Sequence, residues 1–431
     1  MLRRKLSDTL LAWKNRKDKH MCLIVKGARQ VGKTFIIKDF AEKHYKSTIY
    51  INFEETPSLK EIFSGDLDIE TLRKQITLYI GSAVLIEGDT LIFLDEIQSC
   101  PVARTALKFF AIDGRYDVVA SGSLLGINYK EVPSYPTGYE EAVEMHSLDL
   151  EEFLWAYGVN AEAVASLQAY FDSGKPLPEA MHKRMISILR EYIVVGGRPA
   201  VVNDFMKSHD FNAVLRAQRA IIESYKNDIA KYAPYAEKVK AHDCFASIPR
   251  QLAKEYKKFR YALVDKKGTA RKYEGSLMWL YDAGIINFCN NLTTAELPLE
   301  GNVKDGCFKI YMRDIGLLTA MLEDGSQRDI MTGNLGIYKG AIYENLIADI
   351  FTKIGKKLYY FEETSRFEVD FLIRNKGALT AVEVKATRGA ANSLERVMSF
   401  TPALKGIKLT SGNVGESNGI KTYPLYMAMF L

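Results

Sequence analysis

The chain of 431 residues is longer than one ordinary hydrophobic core serves, so two to four domains are expected. A composition of 47% hydrophobic and 26% charged residues is that of a soluble globular protein, and the net charge of +5 says little until it is located along the chain. No uncharged apolar stretch approaches the roughly 20 residues of a membrane span, which excludes that class. Cys22, Cys100, Cys244, Cys289 and Cys307 form an odd, scattered set. Such a set argues for a reducing compartment, taken as the cytoplasm, and against a disulfide framework or a zinc site.

Residues 1–20 are basic and lack the apolar run of a signal peptide. Leu6, Leu10 and Trp13 recur at helical spacing, so an amphipathic helix packed on the first domain is expected. Residues 21–26 (MCLIVK) form a short apolar run ending at glycine, as a buried parallel strand does. Gly27, Ala28, Arg29, Gln30, Val31, Gly32, Lys33 and Thr34 then spell G-x-x-x-x-G-K-T, and residues 35–44 read as a helix. In that context the glycines let backbone N–H groups curl around phosphate oxygens, and the helix N-terminus adds partial positive charge. Lys33 is expected on the β- and γ-phosphates and Thr34 on Mg²⁺.

Residues 48–52 read as an intermediate strand, and residues 90–94 (TLIFL) as another that ends in Asp95-Glu96. Asp95 is expected to complete the Mg²⁺ site and Glu96 to orient the attacking water. Residues 117–120 form a further strand running into Ser121-Gly122-Ser123, and residues 145–150 read as a fifth. The segment 128–144, rich in Pro, Tyr and Gly, reads as a loop. Five parallel strands with crossing helices make a three-layer α/β sandwich.

The segments GARQVGKT, LIFLDEIQ, ASGSLLG and LDLEEFLWA occur in that order. They resemble the prokaryotic AAA+ ATPases that carry a long C-terminal region of unknown function. GGRPAVV, KFRYALV, SLMWLYDAGII, YMRDIGLL and GAIYENL extend the likeness over nearly the whole chain. The resemblance implies an ATP-hydrolysing core at 1–150 and a helical lid at 151–235. It also implies that Ser121 or Ser123 senses the γ-phosphate and that a lid arginine reaches it. Arg198, at the turn Gly196-Gly197-Arg198-Pro199, is the first choice and Arg115 the second. Related ATPases carry an arginine after the glycine corresponding to Gly138; Tyr139 stands there, which leaves an arginine finger unassigned. Assembly into homo-oligomers is compatible with the resemblance.

Between Arg250 and Tyr273 nine cations face only Glu255 and Asp265, an excess larger than that of the whole chain. The pattern fits a winged helix-turn-helix at 236–330, with helices at 248–256 and 271–283 and wing strands at 285–290 and 308–312. A basic helix and wing can neutralise DNA phosphates; docking to a protein is the other use of such a module.

In 331–431, a helix at 342–354 holds Glu344. A strand at 367–374 holds Asp370, residues 375–377 turn, and a strand at 379–386 holds Glu383 and Lys385, before a helix from Ala391. This order resembles the PD-(D/E)xK nuclease fold. Residues i and i+2 of a strand share a face, so Glu383 and Lys385 point together and pairing brings Asp370 alongside. Two carboxylates can hold a hard cation, with Lys385 stabilising developing charge and Glu344 as an added ligand. His44, His146 and His242 are isolated and offer no competing site.

Two function classes follow: an ATP-driven, DNA-engaging machine with a Mg²⁺-dependent nuclease, or a nucleotide-dependent switch whose nuclease fold is inert and which contacts a protein or DNA. A ligand-sensing regulator of transcription is a third.

Overall fold

The computed structural model describes residues 2–16, 21–123, 132–254, 257–334, 336–364, 367–386, 391–401 and 403–431. Part of the expected loop, residues 128–131, lies outside them, as do Glu255 and Tyr256. The chain divides into two compact units, one of Arg3–Ser147 with Asp282–Gly284, the other of Leu148–Tyr281 and Ile285–Leu431 with Leu2.

The first unit runs α1 (Lys5–Lys14), β1 (Cys22–Lys26), α2 (Lys33–His44), β2 (Ser47–Asn52), α3 (Ile69–Tyr79), β3 (Thr90–Asp95), α4 (Pro101–Asp113), β4 (Asp117–Gly122) and β5 (Glu140–Glu144). Its strands form one parallel sheet in the order β2-β3-β4-β1-β5. Both faces are buried, and alternate residues of a strand serve opposite cores. Leu91 and Phe93 face Leu10, Trp13, Ile37 and Phe40 of α1 and α2. Ile92 and Leu94 face Leu72, Ile76, Leu107 and Phe110 of α3 and α4. Burying each such side chain stabilises by about 1.5–3 kcal/mol. Leu6, Leu10 and Trp13 are buried as their spacing implies, so this helix is part of the core.

The fifth strand is a correction. It is Glu140–Glu144, inside the expected loop, and residues 145–150 lead instead into α5 (Leu150–Ala156). The strand is acidic and only partly buried, so its pattern is not apolar. Arg104 donates to Glu140 at 2.6 and 3.1 Å, and Arg16 pairs with Glu141, which lets carboxylates line a sheet edge.

The second unit continues from α5 through α6 (Ala161–Ser173), α7 (Glu179–Val195), α8 (Pro199–Ser208), α9 (Phe211–Tyr232), α10 (Lys238–Leu252), the short α11 (Tyr261–Val264) and α12 (Ala270–Asp282). Asp149 and Glu152 form a capping box that starts α5. Then come β6 (Ile286–Leu292), β7 (Val303–Met312), α13 (Ile315–Ala320), α14 (Ser326–Thr332), α15 (Lys339–Lys353), β8 (Tyr359–Thr364), β9 (Phe367–Val369), β10 (Phe371–Asn375), β11 (Ala378–Val384), α16 (Asn392–Phe400), β12 (Lys405–Thr410), β13 (Gly415–Ser417) and β14 (Ile420–Pro424).

Two expectations change here. β6 and β7, the expected wing strands, pair antiparallel but continue into β8 and β9, so the hairpin belongs to a sheet β7-β6-β8-β9 that crosses residue 330. The segment 367–374 is two strands rather than one. β9 pairs with β8, whereas β10 joins a second sheet, β10-β11-β12-β14-β13. Asp370 is the single residue at which the chain passes between sheets. Among the described residues no helix is long and apolar enough to cross a membrane.

Candidate functional site

β1 ends at Lys26 and the loop 27–32 carries the chain into α2. Gly27 has φ 155°, and a Cβ there would lie 2.2 Å from the Met145 carbonyl oxygen, so the residue after β5 leaves room only for hydrogen. Gly32 caps α2 in the left-handed region at φ 94°. Gln30, at φ 62°, is a non-glycine in that region, as backbone held for function often is. Val31 is buried, and Arg4 donates to its carbonyl at 2.9 Å and to that of His146 at 2.7 Å. Arg4 therefore clamps the loop from α1's entry, a residue that pattern reading passed over. Lys33 Nζ donates to the Gly27 and Ala28 carbonyls at 2.8 and 3.0 Å, which holds an ammonium against the loop. Arg29 Nη2 lies 3.9 Å from Glu54 Oε2.

Asp95 is the hub. Thr34 Oγ1 donates to its Oδ2 at 2.8 Å, Tyr50 Oη to the same oxygen at 3.1 Å, and Asn52 Nδ2 at 3.4 Å. Ser121 Oγ donates to Oδ1. Because β4 lies between β1 and β3, the end of β4 delivers Ser121 beside the carboxylate. Tyr50 and Asn52 were not singled out in the sequence; their signal is the register that sets Asn52 opposite Asp95. Ser121 is thus tied to Asp95. Ser123 is buried, and its Oγ has no partner among the described residues.

Glu96 sits in the left-handed region at φ 53° and accepts from Gln98 Nε2 at 2.6 Å. Burial raises its carboxyl above the ordinary value, with the Gln98 amide and Lys33 acting in the opposite sense. A carboxylate with raised proton affinity beside the Thr34–Asp95 pair suits the handling of a water proton.

The residues present fit Mg²⁺ and a triphosphate. Two hard oxygen donors, Thr34 Oγ1 and Asp95 Oδ2, are already adjacent, beside an ammonium and a run of backbone N–H groups. Of the arginines, Arg198 is buried in the second unit, its Nε 3.6 Å from Asp314 Oδ2 and its guanidinium 5.5 Å from the Tyr225 ring centre. What the structure gives Arg198 is an ion pair within its own unit. Arg115 is engaged by Asp113 at 2.9 Å and Glu70 at 2.8 Å.

The C-terminal residues come together, with a changed membership. Oxygens of Glu344, Glu368 and Asp370 lie within 4.8 Å of one another. Glu368 was not singled out, although Glu368 and Asp370 share the i, i+2 spacing that selected Glu383 and Lys385. Lys309 Nζ donates to Glu344 at 2.9 Å and to Glu368 at 2.5 Å; Lys257 and Tyr311 also donate to Glu344. Asp370 Oδ2 accepts from the Val384 N–H at 2.7 Å. Lys385 lies 2.6 Å from Glu383 Oε1. Glu383 is buried, and its Oε2 has no partner among the described residues. Burial pushes Asp370 up to about 7. Burial acts the same way on Glu344, but Lys257 and Lys309 outweigh it and hold that carboxyl below its ordinary value.

This arrangement does not fit a divalent cation. At the Glu344–Glu368–Asp370 cluster, ammonium groups already hold both oxygens of Glu344 and one of Glu368, where a metal would have to bind.

In the basic segment Lys257 is turned inward to Glu344, which removes one charge from the surface, and Lys272 pairs with Asp265 at 2.6 Å. Lys254, Lys258, Arg260, Lys266, Lys267 and Arg271 are exposed. Phe259 and Tyr273 are buried rather than offered to bases.

Residues 19–154 match the model of an AAA domain, residues 186–328 a domain of unknown function (DUF8612) and residues 339–426 a domain of unknown function (DUF4143). No curated protein matches the chain. Among solved structures, the Thermotoga maritima RuvB Holliday junction branch migration motor is 14% identical over 65% of this chain and 86% of its own, with a TM-score of 0.29. AMPPCP-bound DnaA from Aquifex aeolicus is 13% identical over 64% and 86%, also at 0.29. C. elegans PCH-2 is 11% identical over 48% and 63%, at 0.27. At these scores the likenesses transfer no property to this chain. The match to the AAA domain at residues 19–154 falls mainly on the α/β unit with its parallel sheet and glycine-rich loop.

Proposed function

We propose that the chain binds ATP with Mg²⁺ at Gly27–Thr34 and hydrolyses it, and that the nucleotide state governs contacts made elsewhere in the chain. The observation that carries this reading is the 2.8 Å contact between Thr34 Oγ1 and Asp95 Oδ2, which sets two Mg²⁺ donors side by side beneath the loop. Mg²⁺ supplies charge neutralisation between phosphate oxygens when bound. Backbone N–H groups of residues 28–33 hold phosphate oxygens, and Lys33 leaves the Gly27 and Ala28 carbonyls to reach them. Glu96 positions water and accepts its proton, held by Gln98. Ser123, with a buried hydroxyl at the end of β4, is the better γ-phosphate sensor, since Ser121 is spent on Asp95.

The exposed cations of residues 254–271 support engagement of DNA through its phosphates. Between the two classes, the ammonium groups on the C-terminal carboxylates favour the switch over the nuclease. The test is titration of the full chain with labelled ATP and Mg²⁺. Saturable uptake is expected, weakened roughly 10- to 100-fold in Lys33→Ala, as befits loss of a charge-assisted contact. Well-folded protein without saturable uptake would overturn the proposal.

A further inference from the structure

Lys309 is a fully buried lysine held between two carboxylates. It lies on β7, outside the region of the helix–strand–strand pattern that suggested a nuclease, yet its side chain is fully buried, with 0% exposure. Its ammonium donates to Glu344 from α15 and to Glu368 from β9, and lies 4.7 Å from the centre of the Tyr360 ring. The Glu344 oxygen that Lys309 meets also accepts from Tyr311, two residues along β7 on the same face. Lys257 reaches the second oxygen of Glu344. Asp370 stands in the same group of oxygens.

We infer that Lys309 takes the place of a divalent cation at the Glu344–Glu368–Asp370 cluster, so that this site is closed to metal. Buried carboxylates need compensating positive charge, because an isolated charge in an apolar interior is strongly disfavoured. Such charge comes from a metal or from a side chain, and here side chains provide it. A hard cation would sit at about 2.0–2.6 Å from the same oxygens and so collide with an ammonium already 2.5–2.9 Å from them. Lys385, with its side chain 38% exposed, could swing its charge into water when a metal arrives. Lys309, with its side chain 0% exposed, has no water contact of its own to move into. Its insertion is possible because β7 is hydrogen-bonded into the sheet that holds β9. The consequence is a C-terminal region that keeps the shape of the nuclease-like site without its metal.

Manganese uptake by the nucleotide-free full chain, followed by electron paramagnetic resonance, tests this without reference to activity. Wild type and Glu368→Gln are expected to take up Mn²⁺ identically. Lys309→Met is expected to gain one saturable site, which Lys309→Met/Glu368→Gln loses again. A wild-type site that disappears in Glu368→Gln overturns the inference, and so does a folded Lys309→Met variant that gains no site. Should Lys309→Met fail to fold, the comparison of wild type with Glu368→Gln decides the matter alone: identical uptake supports the inference, loss of a site refutes it.

Discussion

Thr34 Oγ1 donates to Asp95 Oδ2 at 2.8 Å across a strand that belongs to neither residue. β4 separates β1, which leads into the glycine loop, from β3, which ends at Asp95. The contact therefore spans the width of two strand pairings. The sheet order turns two motifs 61 residues apart into one site.

Glu96→Gln preserves shape and the neighbouring Asp95 hub while removing the group that accepts a proton. ATP affinity is expected to hold while kcat falls about 100- to 10,000-fold, the range for loss of a positioned general base. Nucleotide titration and phosphate release under saturating ATP measure the two effects separately. Undiminished turnover would remove Glu96 from this role.

Lys266 and Lys267 are exposed beside the start of α12. Replacing both with alanine is expected to weaken binding of DNA of any sequence and to reduce the slope of log affinity against log salt by about 1–2, since each phosphate contact contributes about 0.9. Fluorescence anisotropy at several salt concentrations reads both quantities. An unchanged slope assigns these cations to solvent.

Glu344 is buried and accepts from two lysines and a tyrosine. Glu344→Ala leaves both ammonium groups without their shared partner, and a loss of about 3–5 kcal/mol is expected, as for breaking a buried pair from one side. Glu300→Ala, which breaks the exposed Lys357 pair at 2.7 Å, is expected to leave stability unchanged. Urea denaturation compares them, and equal effects would contradict the contrast in burial.

Asp349 is buried 2.8 Å from Lys353, and burial pushes its carboxyl from 3.8 up to about 7, with Lys353 acting in the opposite sense. A raised folded-state value means the folded form prefers the proton. The stabilisation is full below 3.8 and is lost as pH rises through about 7. The unfolding free energy of wild type minus that of Asp349→Asn is therefore expected to fall across this window and to level off above it. A difference that is flat with pH would show that Asp349 keeps its ordinary proton affinity.

The primary sequence alone determined the glycine loop, the acidic pair after TLIFL and the alternation of strands with helices, because each rests on short-range rules. Glycine conformation, strand periodicity and a helix N-terminus are all local. β5 was hidden because an acidic strand has no apolar signature, and the partners of its carboxylates, Arg104 and Arg16, come from 36 and 125 residues away. The same distance problem hid Tyr50, Asn52 and Arg4 as supports of the site. In the C-terminal region the residues Asp370, Glu383 and Lys385 were legible, but their ionic company was not. Lys257 and Lys309 lie 87 and 35 residues from Glu344, and the joining of β7 to β9 through β6 and β8 is what brings Lys309 to the carboxylates. Local chemistry thus wrote the motifs. Which charges neutralise which carboxylates was decided by tertiary packing, since Coulomb interactions in a buried site act through space and take no account of separation along the chain.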